Sequence, residues 1–233
     1  MRQRAKVLFL AVILALSAPQ AIPAAERSSS PEQVNLIVLL PPPPPVGSVQ
    51  ADAEVAEIVE IQKNLTPAEA ASAVSDNRLS VFQFASGVFG PKFTPENCPL
   101  AGAFFERLGK SGAPPIRAVK SFWGKPRPFL ASREVKACVD DATGGSYPSG
   151  HSTFSYFTAI VLADMVPEKK AELFDRAAQY ARNRMVCGVH YRSDVEAGRA
   201  AGTVFAAFAM QNPDFEREFS EVRKEVRKVL GYE

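Results

Sequence analysis

The chain has 233 residues, of which 46% are hydrophobic and 22% charged, with a formal net charge of +2. That length suits one mid-sized domain with a substantial core. The near balance of charge argues against a nucleic-acid or anionic-membrane surface. With three cysteines, two histidines and no paired C-x-x-C, the chain also lacks the ligand pattern of a zinc site.

The first stretch reads as a leader. Arg2, Arg4 and Lys6 precede an apolar run from Val7 to Leu16. Small residues then follow around Ala18, Ala21, Ala24 and Ala25. This is the layout of a secretory signal peptide, and the run is short for a membrane span. Residues 1–25 are therefore expected to be removed. Three of the 27 basic side chains leave with them and none of the 25 acidic ones, so the remainder carries about one excess negative charge. An exported chain meets an oxidising compartment. Among Cys98, Cys138 and Cys187, one disulfide and one free thiol is the natural arithmetic.

Residues 26–50 read as an extended proline-rich segment. Val34 to Leu40 is apolar and runs into Pro41 to Pro45, and a proline run favours an extended backbone. The apolar lead-in suggests packing across the surface of the domain. Residues 51–233 read as the domain itself. A roughly 3.6-residue rhythm starts at Asp52. Thr66-Pro67-Ala68-Glu69 has the form of a capping box, and Thr94-Pro95-Glu96 resembles another helix start. Pro99 to Lys110 and Pro115 to Trp123 read as two short helices. Ser149-Gly150-His151 opens an apolar run to Val166, and Glu168 to Cys187 is amphipathic. Val195 to Met210 predicts a buried helix and Phe215 to Leu230 a charged surface helix. No stretch alternates like a strand. The expectation is all-α: a single compact helical domain with an extended N-terminal segment.

Both histidines lie in polar clusters between apolar helices. Tyr147-Pro148-Ser149-Gly150-His151 stands at a predicted helix N-terminus, where unpaired N–H groups and the helix dipole attract an anion. Read alone, Ser149 is equally an ordinary N-cap. In His190-Tyr191-Arg192-Ser193-Asp194 the histidine and the aspartate are four apart and share a helix face. A carboxylate there can hold one imidazole nitrogen and leave the other as nucleophile or base. Asp194 is equally a helix-capping residue. Lys120, Arg127 and Arg184 add fixed cations suited to phosphate oxygens.

Together these residues spell K-x6-R-P, then P-S-G-H, then R-x5-H-x3-D, ten specified positions from Lys120 to Asp194. The pattern resembles the signature of the type 2 phosphatidic-acid phosphatase superfamily, which also includes the vanadium haloperoxidases. Leu40-Pro41-Pro42-Pro43-Pro44 with Gly47-Ser48, Gly87-Val88-Phe89-Gly90 and Val186-Cys187-Gly188-Val189-His190 extend the likeness. They resemble the class A bacterial nonspecific acid phosphatases, from about Leu39 to about Gly202. One departure is Asn183, where the family usually has serine.

The resemblance implies a secreted or periplasmic acid phosphatase acting on small-molecule phosphate monoesters. It assigns His190 as the nucleophile, Asp194 as its partner and His151 as the general acid. Lys120, Arg127, Ser149, Gly150 and Arg184 form the phosphate cradle. No metal or other cofactor is implied, because three fixed cations supply the charge. Nucleic acid and stable membrane insertion are not expected, and a homo-oligomer is left open. Since the cradle must gather the motifs that Cys138 and Cys187 flank, those two are expected to pair, leaving Cys98 free. The competing readings are a vanadium-dependent haloperoxidase, a catalytically inactive phosphate-binding protein and a lipid phosphatase.

Overall fold

The computed structural model describes residues 34–140 and 142–232, and the predicted leader lies outside them. Every regular element among the described residues is helical. Chain order gives α1 (Leu36–Leu39), α2 (Val49–Lys63), α3 (Pro67–Ser75), α4 (Val81–Phe89) and α5 (Pro99–Trp123). α6 (Pro128–Ala131), α7 (Gly150–Met165), α8 (Lys170–Val186), α9 (Arg192–Ala209) and α10 (Pro213–Leu230) complete it. None of the described helices is long and apolar enough to cross a membrane.

α7 is the central element. Most of its side chains are buried, including Ser152, Thr153, Ser155 and Thr158. It packs along α8 on one side and α9 on another. Small residues set the α7–α9 spacing. A Cβ added at Gly198 would stand 2.5 Å from the Ser149 carbonyl oxygen, and one at Gly202 would stand 2.6 Å from that of Thr153. The absence of side chains thus lets the two backbones meet. Two cross-links hold them there: Ser152 Oγ donates to the Val195 carbonyl at 2.6 Å, and the Ser149 amide donates to the Asp194 carbonyl at 2.9 Å. The N-termini of α7 and α9, which carry the two histidine motifs, are therefore placed side by side by close packing and these two hydrogen bonds.

α10 covers α5 through a stripe of Phe215, Phe219, Val222 and Val226, with its charged face outward as the spacing predicts. Phe104 and Phe215 pack with their rings tilted by 48° and centroids 5.3 Å apart. Cys98 gives α5 no side-chain cap. The cap comes instead from across the interface, where Glu225 accepts from the amides of Leu100 and Ala101 at 3.1 and 2.9 Å. A carboxylate there also suits the positive end of the helix dipole.

The structure corrects the local reading in four places. Pro99–Lys110 and Pro115–Trp123 are one helix, continuous through Pro114 and Pro115. A proline inside a helix costs about 3 kcal/mol, but Phe104, Phe105, Leu108, Pro115, Ile116 and Val119 form one buried stripe that only an unbroken helix presents. Thr94 caps a turn, accepting from the Asn97 amide at 3.3 Å, and the helix begins only at Pro99. The one-turn α1 interrupts the expected extended segment and α2 begins inside it, capped by Ser48. α4 and α6 were not foreseen. The proline run itself is non-helical, Val34, Leu36 and Leu40 are buried, and the Tyr147 hydroxyl donates to the Pro41 carbonyl, so this segment does strap the domain surface. The capping box is present, with Thr66 and Glu69 satisfying each other's backbone amides.

Cys138 and Cys187, the pair expected to join, lie at disulfide distance with Cα atoms 4.7 Å apart, while Cys98 is buried and free.

Candidate active site

Gly124, in the left-handed conformation at φ 56°, ends α5 and turns the chain into Lys125-Pro126-Arg127-Pro128. Lys120 occupies the last turn before it and Arg127 the residue before α6. The Lys120 ammonium donates to the carbonyls of Gly145 and Ser146 at 2.7 and 3.1 Å. A Cβ at Gly145 would stand 2.7 Å from the Lys120 carbonyl oxygen, so glycine is what permits this approach. Arg127 is buried and braces the loop before α7 by donating to the Thr143 and Gly144 carbonyls at 2.7 and 3.2 Å. Its Nη1 reaches the Val189 carbonyl at 3.0 Å and lies 3.2 Å from His190 Nε2.

His190 is only 2% exposed. Its Nδ1 lies 3.4 Å from Asp194 Oδ2. That contact is long because the same oxygen accepts from the Ser146 hydroxyl and, at 2.9 Å, from the Tyr191 amide. Asp194 thus fills both roles read from its position, helix cap and histidine partner. With Arg127 donating at Nε2, the fitting tautomer carries its proton on Nδ1, toward Asp194.

Behind Asp194 lies a buried cluster of charges. Lys125 Nζ donates to Asp194 Oδ1 at 3.0 Å and to Ser193 Oγ at 2.9 Å, and stands 3.6 Å from Glu54 Oε2. Glu54 accepts from the Ser193 amide and hydroxyl at 2.8 and 2.9 Å. Lys125 also lies over the Tyr191 ring, 4.0 Å from its centroid. Burial of an anion beside a cation in this way requires that all partners be present.

Three charged groups of the site, His190, Asp194 and Lys120, titrate away from their ordinary values. Burial pushes the His190 imidazole down to about 3, and nearby Lys120 and Arg127 push the same way against Asp194. The ring is therefore neutral, the state a nucleophile needs. Burial alone would raise Asp194, but its contacts with His190, Lys125 and Ser146 win and hold it at about 2. Burial, then Arg127, brings Lys120 down to about 7, with Asp194 opposing.

Ser149 is the N-cap of α7, accepting from the Ser152 amide at 3.2 Å, and Gly150 is the first residue of that helix. His151 follows, half-buried, its Nε2 donating to the Asn77 carbonyl at 2.9 Å and its ring stacked on Tyr180. Arg184 reaches in from α8, and its Nη2 donates to Asn77 Oδ1 at 2.9 Å. The Arg184 carbonyl accepts from the Val189 and His190 amides at 3.1 and 3.3 Å, tying the end of α8 to the nucleophile motif. Asn77 thus joins Arg184 to His151. Its own loop is clamped by the buried Asp76, which accepts from Arg176 and, at 2.7 Å, from Asn183 Nδ2. Asn183 also reaches Ser72 Oγ at 3.2 Å.

All eight predicted site residues therefore converge. Glu54, Asn77, Lys125 and Ser146 join them and were not singled out from the sequence. Lys125 alone carried a local signal, its place two residues before Arg127. Among the described residues, no group of three or more His, Cys, Asp or Glu is arranged to hold a metal.

Comparison with known proteins gives a consistent picture. Residues 108–218 match the PAP2 superfamily. A non-specific acid phosphatase of Salmonella typhi is 33% identical over 162 residues, covering 66% of this chain and 65% of that one. One from Salmonella typhimurium is 32% identical over 164 residues, covering 68% and 64%. This chain therefore spans just under two thirds of the length of either relative. The crystal structure of a transmembrane PAP2 type phosphatidylglycerolphosphate phosphatase from Bacillus subtilis aligns with TM-score 0.50 at 16% identity, over 74% of this chain and 89% of that one. That likeness concerns the fold.

Proposed function

Because the chain belongs to the PAP2 superfamily, we propose that it is an acid phosphatase that hydrolyses phosphate monoesters through a phosphohistidine on His190. The observation that carries this reading is the buried, neutral His190. Asp194 stands at one ring nitrogen and a cradle cation at the other, 3.4 and 3.2 Å away.

Phosphoryl transfer asks for positioning and for charge on the non-bridging oxygens. Lys120, Arg127 and Arg184 supply three cations, with the Ser149 hydroxyl and the Gly150 amide at the start of α7. A phosphoryl oxygen is a stronger acceptor than a neutral imidazole. An incoming ester therefore draws Arg127 onto itself and uncovers the His190 Nε2 lone pair beside phosphorus. Nε2 then forms the N–P bond as the P–O bond to the alcohol breaks. His151 gives the departing alkoxide a proton. In the second half His151 takes a proton from water, the hydroxyl oxygen attacks phosphorus, and the N–P bond breaks to return His190 and inorganic phosphate. Asp194 keeps Nδ1 protonated and balances the positive imidazole of the intermediate.

The three cations fill the charge-neutralising place that a divalent ion takes in other phosphatases, so activity is expected to survive chelation. The leader-like residues 1–25 and the Cys138–Cys187 pair support an exported, periplasmic or secreted enzyme, with a proline-rich segment of residues 26–50 preceding a catalytic domain of residues 51–233. The test is p-nitrophenyl phosphate turnover by the purified chain with and without EDTA, beside His190→Ala. Turnover is expected with or without the chelator, and the variant is expected to lose at least about 10⁴-fold. An unaffected His190→Ala would overturn the assignment.

A further inference from the structure

A cavity of about 420 Å³ opens beside the cradle, and its wall includes Lys120, Gly150 and His151. His190, Arg127 and Asp194 do not line it. It therefore lies on the His151 side of the site. In an in-line displacement the leaving group departs opposite the nucleophile, toward the general acid. The cavity is where the alcohol half of a substrate would lie.

Its walls are unlike those of a sugar site. Phe105, Leu108, Ile116, Phe154, Phe157 and Phe205 line it from α5, α7 and α9. The charged side chains Glu106, Lys110 and Arg117 also line it, all on α5. A second observation is Gly109, on the same wall in the middle of α5, where an added Cβ meets no atom within 4 Å. Glycine is a poor helix residue, and here its lack of a side chain keeps the cavity open.

We infer that this cavity is a leaving-group pocket for an apolar alcohol, so that the preferred substrates are phosphomonoesters of an alkyl chain or ring. The inference rests on the phosphatase reading for its catalytic consequence. Its binding consequence stands apart from that reading. The volume lies within the range of small-ligand pockets and suits a chain of about six carbons or one ring. Each buried methylene adds roughly fourfold to affinity or kcat/KM. Hexyl phosphate is accordingly expected to exceed glycerol phosphate in kcat/KM by about 10- to 100-fold.

The experiment has two arms. Calorimetry compares hexylphosphonate, methylphosphonate and inorganic phosphate on the full chain, and kinetics compares hexyl phosphate with glycerol phosphate. Both are repeated on Gly109→Leu, which fills the cavity, and on Gly109→Ala, which adds one carbon. Thermal melting monitors the fold, and the Ala variant should melt no lower than wild type. The expected result is hexylphosphonate binding at least about tenfold tighter than methylphosphonate, with the preference shrinking in Gly109→Ala and lost in Gly109→Leu. A wild type with no chain preference, or a normally melting Gly109→Leu that keeps it, overturns the pocket. If hexylphosphonate binds as expected and no monoester is hydrolysed, the phosphatase reading falls and the pocket stands.

Discussion

His190 and His151 sit in unlike surroundings. His190 is enclosed: Asp194, Ser146 and Arg127 surround its ring, and Lys125 and Glu54 back Asp194. His151 is half-buried, rests on the Tyr180 ring and the Asn77 carbonyl, and borders the apolar cavity. The difference follows from what each has to do. A nucleophile attacks the same phosphoryl group in every substrate, so one tautomer and one position can be fixed by burial. A general acid meets whatever alcohol is leaving, so its side of the site must admit different shapes.

The contrast is broken most directly by substitution at each histidine. His190→Ala should abolish turnover of every monoester alike. His151→Ala should slow alkyl phosphates by about 10²- to 10⁴-fold, the usual contribution of a general acid. It should slow p-nitrophenyl phosphate far less, because nitrophenolate leaves without a proton. Equal slowing of both substrates in the phosphorylation step would make His151 a positioning residue and dissolve the division of labour.

Lys120 sharpens the comparison through pH. Its amine is held down to about 7 by burial and by Arg127, and a bound anion must raise it again. Phosphate binding therefore takes up a proton above pH 7, and affinity should fall as pH rises, by up to about tenfold per unit. Lys120→Arg keeps its charge and should flatten this slope, as read by calorimetry with methylphosphonate. An unchanged slope in the variant would place the proton elsewhere. The His190 shift acts on stability. Its ring is neutral in the fold down to about pH 3, whereas the unfolded imidazole takes a proton below its ordinary value near 6.5. Stability from this group is thus complete above about 6.5 and is lost as pH falls toward 3.

The smallest effect concerns the frame that both histidines share. Gly198→Ala drives a methyl group into the Ser149 carbonyl and Ser152. It should cost roughly 1–3 kcal/mol in denaturant unfolding. It should also lower kcat, since it parts the N-termini of α7 and α9. Wild-type stability with wild-type kcat would show that the close approach is not needed.

The parts of this molecule that could be read from the sequence are those decided within a few residues. The capping box at Thr66–Glu69 and the apolar stripe of α10 are local patterns, and they form as read. The eight site residues lie between 120 and 194, and their types and spacings, which reflect chemistry more than packing, make them stand out in the sequence although only the fold brings them together. Pro114 and Pro115 misled because their local cost is outweighed by burial of a stripe that runs from Ala101 to Val119 along the 25-residue α5. Glu54 gave no signal: it sits in a row with Glu57 and Glu60, and only the approach of Ser193 and Lys125 from far along the chain sets it apart. Asn77 is equally silent until α7 and α8 converge on its loop. Asn183, a departure from the usual serine, is explained by its reach to Asp76 and Ser72, which holds that loop.

Covalent chemistry at His190 is open to direct trapping. The purified chain is mixed with a ³²P-labelled monoester, quenched within its steady state, digested and mapped. An acid-labile, base-stable label is expected on the peptide carrying His190, absent from His190→Ala and accumulating in His151→Ala with p-nitrophenyl phosphate, where loss of the base slows the water step. Label on Ser149, or turnover with no covalent label while ¹⁸O-water inverts the phosphorus of a chiral phosphomonoester, would contradict it.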